Sequence, residues 1–333
     1  MRSCTTADLM EKSKPEIQSL IAAIVALPRF QRLSRVSFLG AIERFSPRAD
    51  RRTAQSRYEH SIGVADLVLE LSKRVALTEG ELRLAVAHAL LHDIGHGPFS
   101  HSCEFFFRKK FSIDHNSYLV SLIENEKSEE SKTLRYFGLW LDYRNFLRSP
   151  KKIPLVQEFF FGPINVDTIE GILRSSIFFG IENPIDIDTV IGALSSRPLK
   201  FRHLDEFWAL KREVYNDFIF SEIQARYDAI ICNALFHVSD EVAVEDFSLD
   251  DESFEERYHN SITYQLNLAN ASSKISGGKE RRFEINKYER PRRSDLLSER
   301  YFERKVGECK KKTKLSSGTT ITQNKKSPHC DRR

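Results

Sequence analysis

The sequence contains no apolar run close to the roughly 20 residues that a membrane-spanning helix needs. Its first residues, MRSCTTADLMEKSKPEI, also lack the apolar core of a secretion signal. At 333 residues the chain is long enough to bury a large hydrophobic core. We therefore expect a soluble, cytoplasmic protein that does not enter a membrane.

Paired cysteines are absent as well. None of the five cysteines belongs to a Cys-x-x-Cys pair, and their odd number gives no disulfide framework. They are Cys4, Cys103, Cys232, Cys309 and Cys330. Unpaired thiols of this kind are typical of the reducing cytosol.

Strand patterns and internal repeats are also missing, whereas helical periodicity runs through much of the chain. The predicted helices include residues 15–27, 57–76, 79–91, 112–125, 165–176, 186–195 and 205–238. We therefore predict an all-α protein, built as a helical bundle, with a charged C-terminal tail.

Charge is nearly balanced overall, at +4, but it is unevenly distributed. Residues 274–333 contain 19 Lys and Arg against 8 Asp and Glu, so the residues before them carry a net charge of −7. An acidic run, residues 240–256, precedes this basic tail, whose end has too little apolar surface to offset the entropy of ordering. The predicted organisation is a helical body of residues 1–240 and an acidic, then basic and partly disordered extension of residues 241–333.

The most informative stretch is AVAHALLHDIGHGPFSH, residues 85–101, which holds four of the ten histidines. Residues 79–91 are apolar almost all round, which is typical of a helix buried in a core. A Thr-x-x-Glu capping box begins this helix and a glycine–proline segment ends it. His92 and Asp93 therefore lie at the inner end of a buried helix, where charge is costly unless it is paired or bound to a metal.

Two further residues occupy similar surroundings, His60 in the first turns of a predicted helix and Asp167 at the start of another. Imidazole nitrogens and carboxylate oxygens are ligands of divalent metals, so these two, with His92 and Asp93, are candidate ligands. Each also has a plainer interpretation, as a core histidine, a helix-starting aspartate or a buried His–Asp pair. His88, one turn before His92, is interpreted as a packed core histidine.

The segments RYEHSIGVA and LLHDIGHGPFSH, together with the later Asp167, resemble the H…HD…D signature of the HD-domain metal-dependent phosphohydrolases. The likeness covers about residues 28–240, and the segment PRFQRLSRVSFLG resembles the deoxynucleoside triphosphate triphosphohydrolase branch in particular. The resemblance implies an all-helical fold and a divalent metal (Mn, Mg, Fe, Zn or Ni) bound by His60, His92, Asp93 and Asp167. It also implies hydrolysis of a phosphate ester or anhydride by a water that the metal activates.

The resemblance assigns further roles around the metal. His101, which Glu104 can orient, matches a histidine and acid near the leaving oxygen, and His115 matches a histidine at the phosphates. His96 matches a residue that lines the pocket, and Arg57 matches an arginine that binds a phosphate bidentately. The implied catalytic residues are thus His101, Glu104 and His115, and the implied substrate-binding residues are Arg57 and His96.

Three positions depart from that family pattern, all outside the metal ligands. Phe38 stands where the family has a glutamine that reads the sugar 3′-hydroxyl, Gly171 where it has a tyrosine that stacks on the sugar, and Asn116 where it has a glutamate. The predicted substrate is therefore a nucleotide or a related phosphorylated small molecule, with a dNTP as one candidate. The alternative is a nucleotide-binding or regulatory protein that keeps the metal ligands and has lost turnover.

Two kinds of macromolecular partner stay open. The basic tail leaves binding to nucleic acid open, through release of counterions from the phosphates, although such tails are usually solvated segments. Members of the family often assemble through helices, so a homo-oligomer is also open, but no segment specifies an interface.

Overall fold

The computed structural model describes residues 4–45, 55–150, 154–161, 164–181, 185–195, 201–219 and 221–275. Within these ranges the regular elements are helices, and the only β-type pairing is one antiparallel bridge between Ser37 and Ser56. The predicted all-α fold is confirmed. None of the helices in these ranges is long and apolar enough to span a bilayer. The basic tail from residue 276 onward lies outside the described residues, so its disorder and its nucleic-acid role stay predictions.

The helices are numbered along the chain. In the described ranges they are α1 (Thr6–Lys12), α2 (Pro15–Val25), α3 (Pro28–Arg32), α4 (Ala41–Phe45), α5 (Arg57–Ser72), α6 (Glu79–Leu91), α7 (His101–Phe111), α8 (His115–Glu124), α9 (Glu129–Tyr136), α10 (Trp140–Arg148), α11 (Pro154–Phe160), α12 (Val166–Phe178), α13 (Ile187–Ser195), α14 (Phe201–Glu213), α15 (Glu222–His237), α16 (Asp251–Arg257) and α17 (His259–Ile275).

Helix α6 lies at the centre of the larger hydrophobic core and has the bounds that the sequence predicts. The Thr78 hydroxyl accepts a hydrogen bond from the Glu81 amide, and the Glu81 carboxylate accepts one from the Thr78 amide, which is the predicted capping box. Residues 84–87 and 89–91 are buried, and α2, α5 and α11 pack around the helix. Because α6 is covered on several sides, its C-terminal end at His92 lies inside the protein.

The segment 205–238, which the sequence pattern predicts to be one helix, is broken. Helix α14 ends at Glu213, a short π-helical segment follows, and α15 begins only at Glu222. The Ser221 hydroxyl accepts a hydrogen bond from the Gln224 amide and so caps the start of α15. The prediction of a continuous helix is therefore wrong, because local capping interrupts an apolar periodicity that continues through the break.

A second hydrophobic cluster extends past residue 240, into the acidic run. Side chains from both sides of that position form it, among them Phe99, Phe106, Phe107, Ile231, Leu235, Phe247, Phe254, Tyr258 and Ile262. Some acidic residues of the run form caps and ion pairs: Asp250 caps α16 and its carboxylate lies 2.6 Å from Arg35 Nε. The packed part of the chain therefore continues beyond the predicted boundary, through α16 to α17.

Glu43, on α4, carries a carboxyl group that is buried in the protein. Only 5% of the surface of this residue is exposed. Burial raises its pKa to about 8, and the Leu39 amide and the Arg57 guanidinium oppose that rise only in part. Since the ordinary value is 4.5, the folded state holds a proton that the unfolded state releases as pH increases. The stability that this buried, protonated carboxyl group contributes is fully present below pH 4.5. It is lost as pH rises through about 8.

Replacement of Glu43 by glutamine removes this titration while it keeps the shape of the side chain. We expect the free energy of unfolding of Glu43→Gln, relative to that of wild type, to be higher at about pH 9 than at about pH 5. The difference should be on the order of a few kcal/mol. Urea denaturation at both pH values measures the difference. The exposed Glu252→Gln is the control and should show none. Parallel pH dependence of Glu43→Gln and wild type would contradict the prediction.

Candidate active site

Four side chains predicted as metal ligands meet at the inner end of α6. His60 comes from α5, His92 and Asp93 follow α6, and Asp167 lies in the first turn of α12. His60 Nε2 is 3.1 Å from Asp167 Oδ1 and 3.6 Å from Asp93 Oδ2. His92 Nε2 is 3.4 Å from Asp93 Oδ1 and 3.9 Å from Asp167 Oδ1. The structure thus brings His60, His92 and Asp93 together in a group that could hold a metal ion, with Asp167 next to both histidines.

Each imidazole of this cluster already uses its other nitrogen. His60 Nδ1 is 2.5 Å from Glu170 Oε2, and His92 Nδ1 is 2.8 Å from the carbonyl oxygen of Ala89. An oxygen acceptor requires an N–H at each Nδ1, so Nε2 is the atom of each ring that can bind a cation at the cluster. Within the described part of the chain, the buried His92 Nε2 has no hydrogen-bond partner.

The electrostatics of the cluster favour a positive charge at its centre. Burial alone would lower the pKa of His60, but Glu170 and Asp167 raise it to about 9. Burial opposes ionisation of Asp167, yet the hydrogen bond from His60 and the charge of His92 lower its pKa to about 2. Two imidazole nitrogens and two carboxylates are a suitable donor set for a divalent ion. The residues present therefore fit the metal that the sequence implies, and a cation would satisfy the lone pair of His92.

Arg57 is bound to this cluster. Its Nη1 donates to Asp93 Oδ2 at 2.8 Å, its Nε donates to Ser100 Oγ at 2.9 Å, and its Nη2 donates to the carbonyl oxygen of Phe38 at 2.9 Å. Only 6% of its surface is exposed. Burial would raise the pKa of Asp93, but the positive charge of Arg57 and the neighbouring histidines hold it well below its ordinary value. Arg57 thus anchors Asp93, and its contact with a substrate phosphate stays a prediction.

Three further histidines form a group in which His96 contacts Asp93 and packs against His101 and His115. His96 Nε2 is 3.2 Å from Asp93 Oδ1, and the His96 ring stacks on His115 with centroids 4.3 Å apart. Glu104 joins the other two, because its Oε2 is 3.0 Å from His101 Nδ1 and its Oε1 is 2.5 Å from His115 Nδ1. The expected pair of His101 and Glu104 is present, and Glu104 orients His115 as well.

The carboxylate of Glu104 gives both of these rings a defined orientation. Hydrogen bonds from His101 and His115 hold the pKa of Glu104 far below its usual range, although partial burial opposes its ionisation. With Nδ1 bound to the carboxylate, Nε2 of each ring is available to a bound molecule. The His101 side chain is 59% exposed and that of His115 is 20% exposed, so this side of the site opens to solvent.

The opposite side of the cluster is apolar. The Phe38 ring lies 4.6 Å from the His60 ring, and a Cβ atom added at Gly171 would come within 3.2 Å of Phe38 Cζ. The two departures from the family pattern therefore meet, since the Phe38 ring borders the space that a side chain at position 171 would need. Sequence spacing could not show this contact, because the two residues lie on separate elements.

Two other residues clarify the boundaries of the site. Glu170, on α12, contacts both His60 and Arg174. His88 packs among aromatic rings instead, with its centroid 4.5 Å from Phe160 and 4.9 Å from Phe146. Burial lowers the pKa of His88 to about 3, so it is neutral. Its interpretation as a packed core histidine is confirmed.

Comparison with known proteins agrees with these motifs. Residues 57–147 match the family model of the HD domain. The chain is 28% identical over 186 residues to the uncharacterized protein YwfO of Bacillus subtilis, covering 54% of this chain and 41% of that protein. It is 29% identical over 184 residues to deoxynucleoside triphosphate triphosphohydrolase SAMHD1 of Gallus gallus, covering 50% of this chain and 28% of that protein.

A third relative is the SAMHD1 homolog of Dictyostelium discoideum, 34% identical over 96 residues, which are 27% of this chain and 18% of that protein. The chain thus spans less than half the length of each of these three relatives. The matched segment contains His60, His92 and Asp93. The chain therefore contains a segment, residues 57–147, that matches the HD domain, and it resembles the deoxynucleoside triphosphate triphosphohydrolases in sequence.

Proposed function

We propose that this protein is a metal-dependent phosphohydrolase that acts on a nucleotide or a related phosphorylated small molecule. The observation that carries the proposal is the convergence of His60, His92, Asp93 and Asp167, with a buried His92 nitrogen that has no partner in the described ranges. The HD-domain match agrees with this class of reaction. The SAMHD1 relatives are named for a dNTP substrate, which makes dNTPs the first candidates.

In this proposal His60, His92, Asp93 and Asp167 hold one divalent cation. Such a cation, when bound, lowers the pKa of water and polarises a phosphoryl oxygen. Glu170 and the Ala89 carbonyl keep the two imidazoles in the tautomers that leave Nε2 unprotonated. The Nε2 proton that Glu170 and Asp167 otherwise favour on His60 would be replaced by a bound cation.

In this proposal the two histidines bound to Glu104, His101 and His115, act on the leaving group. Because Glu104 holds Nδ1 of His101 and His115, Nε2 of either ring can donate a hydrogen bond to a phosphate oxygen or a proton to the departing oxygen. The Glu104 charge stabilises the protonated imidazole that such a step requires. His96 connects the two groups, since it contacts Asp93 and stacks on His115.

A second candidate function follows from the apolar side of the site. Phe38 offers no side-chain donor or acceptor to a sugar hydroxyl, and Gly171 offers no ring to stack on it. A chain altered in this way could bind a nucleotide without turning it over, as a regulatory protein does. Retention of a labelled nucleotide without product, across several metals, would select this alternative.

Hydrolysis of a nucleotide panel tests the proposed function. With Mn²⁺, Mg²⁺ or Fe²⁺ we expect phosphate, pyrophosphate or triphosphate to be released from at least one nucleotide, and the product identifies the bond cleaved. The double variant His92→Ala, Asp93→Ala should lose at least ~100-fold in rate, because two ligands are removed together. His203→Ala, a histidine change outside the site, should keep wild-type activity. Full activity of the double variant would refute the assignment.

The support that Glu170 gives to His60 is testable by metal binding alone. Glu170→Gln replaces a carboxylate at 2.5 Å from His60 Nδ1 by a neutral amide, which weakens the basicity and orientation of that ring. We expect Mn²⁺ to bind roughly 10- to 100-fold more weakly in isothermal titration calorimetry. Glu129→Gln, an exposed change on α9, is the control. Unchanged affinity of Glu170→Gln would show that the contact has no supporting role.

A further inference from the structure

Asp251 lies at the first position of α16, in the acidic run that sequence composition assigned to an extension. Only 7% of its surface is exposed. Its Oδ1 accepts a hydrogen bond from the Phe99 amide at 2.6 Å, and its Oδ2 accepts one from the Ser37 amide at 2.9 Å. One buried carboxylate therefore joins two loops that are 152 and 214 residues away along the chain.

The first of these loops follows the His92–Asp93 pair directly and has an unusual backbone. Phe99 has φ 51° and Ser100 has φ 50°, in the left-handed region that residues with a Cβ atom rarely adopt. A bulky residue keeps such a conformation only where its surroundings hold it. The hydrogen bond from the Phe99 amide to Asp251 is one of the contacts that hold it.

The two loops are connected in turn to the metal centre. Ser100 Oγ donates to the carbonyl oxygen of Ser37 at 2.5 Å and accepts from Arg57 Nε at 2.9 Å. Arg57 Nη1 then donates to Asp93 Oδ2 at 2.8 Å. A chain of polar contacts therefore runs from Asp251 through Ser37, Ser100 and Arg57 to Asp93.

Neighbours of Asp251 support the same loop at two other points. Arg32 Nη1 donates to the carbonyl oxygen of Leu249 at 2.8 Å, and its Nη2 donates to the carbonyl oxygen of His96 at 2.5 Å. The Phe247 ring packs so closely on Gly97 that an added Cβ atom would lie 2.7 Å from it. The segment 247–251 thus contacts the loop after α6 directly through the Asp251 carboxylate and the Phe247 ring, and indirectly through Arg32, which binds the Leu249 carbonyl.

We propose that Asp251 is a positioning residue of the metal centre, which fixes the two loops so that Ser100 and Arg57 hold the carboxylate of Asp93 toward the cation. The inference rests on the proposed function in that Asp93 is taken as a metal ligand. It extends the working site about a hundred residues beyond the HD-domain match, which ends at residue 147. A chain cut at residue 240 would lack this support.

The substitution Asp251→Asn tests the inference with little change of shape. Its amide can accept one of the two backbone N–H groups but presents its own N–H to the other, so one hydrogen bond is lost. We expect Mn²⁺ to bind the folded variant about 10-fold more weakly in calorimetry. Hydrogen exchange at the Phe99 and Ser37 amides should become faster. Asp250→Asn, one residue earlier, is the control: asparagine also caps α16, and affinity should equal that of wild type.

A double-mutant cycle separates positioning from a general loss of stability. If Asp251 acts through Ser100, the Asp251→Asn change should weaken Mn²⁺ binding by less than about threefold in a Ser100→Ala background. Should Asp251→Asn not fold, Ser100→Ala alone must weaken Mn²⁺ binding about 10-fold.

Three results would overturn the inference. The first is a folded Asp251→Asn protein, or in its absence a Ser100→Ala protein, with wild-type Mn²⁺ affinity, whatever its melting temperature. The second is a double-mutant cycle in which the losses of Mn²⁺ affinity caused by Asp251→Asn and by Ser100→Ala multiply, as they do for independent residues. The third is a wild-type chain that binds no Mn²⁺, which would remove the proposed function and this inference together, whereas the first two leave the proposed function intact.

Discussion

The lone pair on His92 Nε2 faces the carboxylates of Asp93 and Asp167, and none of these groups can donate a hydrogen bond to it. The Nδ1 proton of His92 is already bound to the Ala89 carbonyl, so the ring cannot simply reverse its tautomer. His60 differs, because Glu170 holds its Nδ1 while its Nε2 lies 3.1 Å from Asp167 Oδ1, and, against the effect of burial, these two carboxylates raise its pKa to about 9. Acceptors gathered in a buried place require a cation or an added proton. The arrangement of the histidines, the carboxylates and Arg57 follows from this need for positive charge.

The fold meets that requirement by ending a central helix inside the protein. Helix α6 is covered by α2, α5 and α11, so the residues that follow it lie inside the protein, at the site. α5 and α12 then bring His60 and Asp167 from distant parts of the sequence. The segment around Asp251 secures the loop after α6 from yet another region of the chain.

Much of this could be predicted from local sequence. The capping box and the glycine–proline exit define the ends of α6, and the histidine–aspartate motifs identify the cluster because each ligand lies at or near a helix end. Other features depend on contacts that periodicity does not encode. The pairing of Arg57 with Asp93 and the double contact of Asp251 are examples, since they join residues from separate elements. The break before α15 could not be predicted from the apolar periodicity, because that pattern continues across it. Only a local cap interrupts the helix.

The departures at Phe38 and Gly171 do not involve the four proposed metal ligands and lie on the apolar side of the site. The choice of substrate is therefore a separate question from the composition of the proposed metal site. The cluster itself is tested most directly by pulsed electron paramagnetic resonance of the protein loaded with Mn²⁺. The proposed centre predicts coupling of the metal to the nitrogens of two imidazoles, with one coupling lost in His92→Ala. A spectrum without nitrogen coupling, or one that His92→Ala leaves unchanged, would contradict it.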